Sequence, residues 1–113
     1  MTLDAEIDRH GADAAVVKLS GRMTLGTRLR EVEAQIDALA REGVRKLILD
    51  LAKVDYLDSA GLGVLMILFG RMKAVNGQLR LVAPNARLAD LFRLTCTDAI
   101  FTVDADTATA LVA

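Results

Sequence analysis

Apolar and polar residues alternate over residues 3–9, with Leu3, Ala5 and Ile7 on one side and Asp4, Glu6 and Asp8 on the other. A period of two is the pattern of a strand with one wet face, which predicts an edge or near-edge strand. His10, Gly11, Ala12 and Asp13 punctuate the chain. Alternation then resumes over residues 14–20, where Ala15, Val17 and Leu19 oppose Lys18, so the two segments predict a hairpin. After a loop over residues 21–26 the period lengthens. Leu29, Val32, Ile36, Leu39 and Ala40 recur at three- and four-residue steps and predict a helix over residues 27–42 with one buried face. Thr24 or Thr27 is positioned to cap it and Gly43 to end it. Asp37 and Arg41 stand four apart in the favourable order, worth about 0.2–0.5 kcal/mol.

The pattern changes character in the middle of the chain. Residues 44–51 pass from alternating to continuously apolar, ending in the run LILDL, which predicts a central parallel strand covered on both faces. Residues 52–58 (AKVDYLD) read as the loop leading out of it, and residues 59–77 as a helix that stops near Lys73, Asn76 and Gly77. A strand over residues 78–83 follows. Pro84 and Asn85 then turn the chain into a short helix over residues 86–94, with Leu88, Leu91 and Phe92 on one face and Asn85 as cap. Residues 95–98 are polar, residues 100–103 predict a short last strand, and Asp104 would cap a weak helix over residues 105–111. The order β-β-α-β-α-β-α-β-α predicts an α/β fold: one domain over residues 1–113, with a mixed sheet that is mostly parallel at its centre and right-handed crossovers. Function in such folds gathers where strands end and helices begin, here residues 52–61.

Composition narrows the function classes. Fourteen Lys and Arg against fifteen Asp and Glu, net charge −1, leave no basic excess for a nucleic-acid backbone. Mean hydropathy is +0.36, yet the longest run with few charges, residues 60–70, is far short of the roughly 20 residues that span a bilayer. No membrane insertion is therefore expected. With no basic, apolar leader at the N-terminus, the expected compartment is the cytoplasm, and a lone cysteine, Cys96, fits a reducing environment.

Candidate chemistry concentrates at one helix start. Asp58 or Ser59 can cap it by accepting from a free backbone N–H. A helix N-terminus also tolerates phosphate, so a phosphorylated Ser59 would add about −1.5 to −2 charge to a small surface without unfolding it. Gly61 and Gly63, in SAGLG, satisfy neither the dinucleotide nor the P-loop pattern and are better explained by close helix packing. Asp50, at the strand end, and Asp55 and Asp58, in the loop, lack the further ligands or base that a metal or acid–base site needs. His10 in its hairpin turn and Cys96 in a helix-end turn stand in no motif. Tyr56 and Leu57 are the apolar residues expected near the surface beside Ser59, either as buried support for the loop or as interface contacts. Arg71, Lys73, Arg80, Arg87 and Arg93 read as solvated charges. No cofactor and no catalytic set is expected.

These residues resemble the STAS domains of bacterial anti-sigma-factor antagonists along almost the whole chain. The likeness rests on Leu19-Ser20-Gly21, LILDL, V-D-Y-L-D-S-A-G-L-G from Val54 to Gly63, RLVAP from Arg80 to Pro84, and Phe92-Arg93-Leu94. It implies a non-enzymatic switch in which Ser59 is phosphorylated by an anti-sigma factor with serine-kinase activity. Unphosphorylated, such a protein binds that factor and frees a sigma factor; phosphorylation releases it and a PP2C-like phosphatase resets it. By the same resemblance the partner-binding surface comprises Gly21, Arg22, Met23 and Thr24 in a second loop with Asp55, Tyr56, Leu57, Asp58, Ser59, Ala60, Gly61 and Leu62. The family often carries an acid where Thr24 stands. Other STAS domains are constitutive adaptors in stress-signalling or lipid-transport assemblies, the alternative implied here. Oligomeric state is left open.

Overall fold

The structure, a computed structural model, describes residues 2–113. Strand β1 (Leu3–His10) pairs antiparallel with β2 (Ala14–Met23), and β3 (Lys46–Leu57), β4 (Gln78–Val82) and β5 (Thr102–Asp104) continue the sheet in parallel, in the order β1-β2-β3-β4-β5. Helices α1 (Thr27–Arg41), α2 (Ser59–Ala74), α3 (Ala86–Leu94) and α4 (Thr107–Val112) complete it. The mixed, mostly parallel α/β sheet is the one that alternating elements demand.

Side chains on alternate positions of each strand separate two cores. One face carries Ala15, Val17, Leu19, Leu47, Leu49, Leu51, Leu79 and Leu81 against Val32, Ile36 and Leu39 of α1, Leu65, Leu68 and Met72 of α2, and Leu88 and Phe92 of α3. The other carries Val16, Ile48 and Val82 under Ala110 of α4, a smaller patch that a short helix suffices to close. This double burial is why residues 47–49 are apolar without interruption. All three phenylalanines join the helices: the Phe101 ring meets Phe69 and Phe92 edge-on, with centroids 6.1 and 5.6 Å apart. The Asp37 carboxylate accepts from both Arg41 and Arg71, at 3.0 and 2.9 Å, so the pair expected within α1 also ties α1 to α2.

Several boundaries move. Residues 21–23, expected as loop, belong to β2, and residues 52–57 belong to β3. The register between these strands shifts at Lys18/Ser20 and again at Gly21/Arg22. Bulges of this kind break strict alternation while pairing continues, which makes a strand look like a loop in the sequence. Asp55 therefore lies on a strand, Asp50 is internal to β3 and no longer at its end, and His10 closes β1. Neither threonine caps α1: Gly26 occupies that position and no side chain bonds there. Asp104 lies in β5, where Arg80 binds it through two hydrogen bonds of 2.7 and 3.1 Å, and Asp106 caps α4 instead. The expected stops at Gly43 and Asn76 and the cap at Asn85 are present.

Candidate functional site

β2 and β3 run side by side to the same edge, and the register places Arg22 opposite Tyr56 and Met23 opposite Leu57. β3 then turns directly into α2. One residue makes the turn: Asp58, in extended conformation, accepts from the Gly61 N–H at 2.9 Å through one carboxylate oxygen and from the Leu25 N–H at 3.0 Å through the other. Its own N–H donates to the Met23 carbonyl at 3.2 Å. A single side chain thus caps α2 and fastens the β2–α1 connection, residues 24–26, to the helix start.

The cap falls to Asp58, which leaves Ser59, the first residue of α2, exposed. The two bonds from the Leu25 and then the Gly61 amides hold the Asp58 carboxyl below the usual carboxylate range. The folded chain therefore favours the ionised acid. Its contribution to stability is complete above the unfolded value of about 3.9 and is lost as pH falls through the lowered folded value. Asp58→Asn is expected to flatten that acid limb, because an amide oxygen does not titrate. Urea melts across the acid range would show it, and amide exchange at Leu25 should quicken at neutral pH.

The structure brings all twelve sequence-predicted surface residues to this end of the sheet, but not all to its surface. Arg22, Asp55, Tyr56 and Ser59 are exposed, and Thr24, Asp58, Ala60 and Leu62 are half-buried. Gly21, Met23, Leu57 and Gly61 are buried and support the others from below. Of the two residues read as either buried support or interface contact, Leu57 is the support, 2% exposed, whereas Tyr56 is 38% exposed. Arg22 lies over the Tyr56 ring, 5.1 Å from its centroid, and holds it by a cation–π contact. Of the two glycines read as packing residues only Gly61 is one. A Cβ there would stand 2.2 Å from the Met23 carbonyl oxygen, while one on Gly63 would meet nothing within 4 Å.

Helix α3 also belongs to this site, which sequence reasoning missed. A groove of about 450 Å³ runs between the start of α2 and α3, lined by Tyr56, Leu57, Asp58, Ser59, Leu62, Arg87, Leu88, Leu91 and Thr95. Arg87, expected as a solvated charge, stands on it. The usable signal was the α3 stripe: Leu88 and Phe92 are buried, but Leu91, read with them as core, is only half covered. Cys96 adopts a left-handed backbone, φ 60°, just after α3 and is exposed. His10 is exposed at the far end of β1. Among the described residues no group of three His, Cys, Asp or Glu could hold a metal ion, and no helix is long and apolar enough to cross a membrane.

The STAS domain family model matches residues 4–110. The chain is 30% identical to the anti-sigma-B factor antagonist of Staphylococcus aureus, covering 70% of this chain and 72% of that one. It is 32% identical to BtrV of Bordetella bronchiseptica, provisionally named an anti-sigma factor antagonist, over 65% of this chain and 63% of that relative's length. The fold superposes on the anti-sigma factor antagonist SpoIIAA, solved unphosphorylated and phosphorylated, with TM-scores of 0.79 and 0.73. Identity to each is 16%; the matches cover 91% of this chain and 90% and 93% of those chains. With the STAS model matched over residues 4–110 and an anti-sigma-B factor antagonist 30% identical over most of both chains, this chain belongs to the STAS domain family of anti-sigma-factor antagonists.

Proposed function

We propose that this chain is a phosphorylation-controlled antagonist that binds an anti-sigma factor with serine-kinase activity, frees the sigma factor, and lets go when Ser59 is phosphorylated. The observation that carries the reading is the division of labour at α2: Asp58 spends its carboxylate on the Leu25 and Gly61 amides, so Ser59 is exposed with its hydroxyl not committed to capping. A kinase reaching Ser59 covers Arg22, Asp55 and Tyr56 on one side and Thr24 and Leu62 nearby. The relatives support the reading by name, and SpoIIAA exists in a phosphorylated form. A PP2C-like phosphatase would complete the cycle in the cytoplasm.

Incubation with the purified kinase and ATP, followed by intact mass and peptide mapping, should show one phosphate on Ser59 and none on Ser59→Ala. Phosphate on another residue would end the assignment. Thr24, standing where the family often has an acid, favours a second reading, a constitutive adaptor in a stress-signalling or lipid-transport assembly. That reading expects the same complex with or without ATP.

A further inference from the structure

The groove beside Ser59 has an apolar floor, with Arg87 at its rim. Leu57 and Leu88 form its base, each almost fully buried, and the half-buried Leu62 and Leu91 form walls that an incoming side chain can still cover. Ser59 lies on the wall itself, so a protein that closes on the serine also closes on the groove. Arg87 on the groove, and Arg22 over Tyr56, take part in none of the ion pairs formed among the described residues. The acid in the groove, Asp58, is already bonded to two backbone amides. Those bonds come from neutral amides and leave the Asp58 charge in place, so the groove holds one charge of each sign, and Arg87 is the one with no partner among the described residues.

We infer that this α2–α3 groove receives an apolar side chain of the anti-sigma factor, while Arg87 pairs with a carboxylate next to it on the same partner segment. The inference rests on the proposed switch and names what that partner must present. A concave apolar floor that a single side chain fills, ringed by polar groups, is the arrangement in which interface anchors do most of their binding. A small-molecule site is concave with polar groups converging on the ligand; here the Asp58 carboxylate and the Thr95 hydroxyl are already bonded within the chain, which leaves Arg87 and the Tyr56 and Ser59 hydroxyls. An apolar, acid-bearing protein segment satisfies both parts of the surface. It also gives phosphorylation a local effect: a phosphate on Ser59, on the same wall, competes with the partner's carboxylate for Arg87.

Steady-state phosphorylation of Ser59 by the organism's purified serine-kinase anti-sigma factor tests this. Arg87→Glu and Leu91→Ala are expected to raise KM about tenfold or more with kcat within about twofold of wild type, and Arg87→Lys to restore most of the loss. Arg87 is exposed, so its variants report docking even if Leu91→Ala loosens α3; circular dichroism checks that. Wild-type KM in both variants, with Ser59 still phosphorylated, overturns the groove and leaves the switch standing. No phosphorylation of the wild-type chain overturns both. Native mass spectrometry that finds an apolar small molecule in the groove, or a dimer abolished by Arg87→Glu, assigns another occupant and overturns the inference.

Discussion

Gly61→Ala is expected to destabilise the fold by about 3 kcal/mol or more, the upper range for overpacking against an unyielding neighbour. The added methyl would lie 2.2 Å from the Met23 carbonyl oxygen and 3.0 Å from the Cβ atoms of Leu57 and Met23. A flexible side chain could swing away; a backbone carbonyl in the last β2–β3 pair, already accepting the Asp58 N–H, cannot. Met23 is paired with Leu57, and its oxygen accepts the Asp58 N–H, so relief would pull the end of β2 off β3 and break the turn into α2. Gly63→Ala supplies the contrast. Its Cβ meets open space inside the same helix, so this variant is expected to gain about 0.5–1 kcal/mol from helix propensity. Urea unfolding of the two variants should therefore give opposite signs two residues apart. Equal losses would show that α2 does not approach β2 as described.

The second large effect separates folding from binding. Ser59→Asp places a negative charge at the first residue of α2, where the helix dipole favours it by about 0.3–1 kcal/mol. Thermal stability should hold or rise slightly and far-UV circular dichroism should stay native. Affinity for the anti-sigma factor should nonetheless fall by at least about tenfold, because the same charge lies on the surface that we propose the partner covers. Calorimetric titration with the purified factor measures it. Undiminished affinity would show that charge at Ser59 is not the switch; a collapsed fold would show that the helix start does not tolerate it.

The sequence carried the elements better than their ends. The alternation of β1, the three- and four-residue steps of α1 and the unbroken apolar run of β3 each reflect one-sided or two-sided burial, and burial is what periodicity encodes. Residues 52–57 were misleading because Ala52, Lys53, Asp55 and Tyr56 face outward past the bulged pairing, so a strand edge resembled a polar loop. At the site, a cap by Asp58 or Ser59 was legible as local chemistry, since capping involves only four consecutive residues at a helix start; which of the two caps was not. The bond from Asp58 to Leu25, 33 residues away, and the arrival of Arg87 and Leu91 beside Ser59 were not. They depend on which strand neighbours which and on how α3 lies, and no spacing along the chain records that. Leu57 and Tyr56 show the same limit, since the two readings offered for the pair, support or contact, separate only when the strand fixes which of them faces the core.

The sheet order β1-β2-β3-β4-β5 follows the chain order without exception, and this shapes how the molecule is made. Each strand, as it leaves the ribosome, finds its partner already present, and none has to be threaded between two that are paired. The hairpin and β3 can assemble first, and each later strand extends the open edge with loop closures no longer than one helix, which keeps contact order modest for a parallel sheet. The Ser59 end is complete only when α3 has docked. A nascent chain therefore pairs its first strands before the α2–α3 groove exists, so a product truncated before α3 would lack the groove in which we place the partner's side chain.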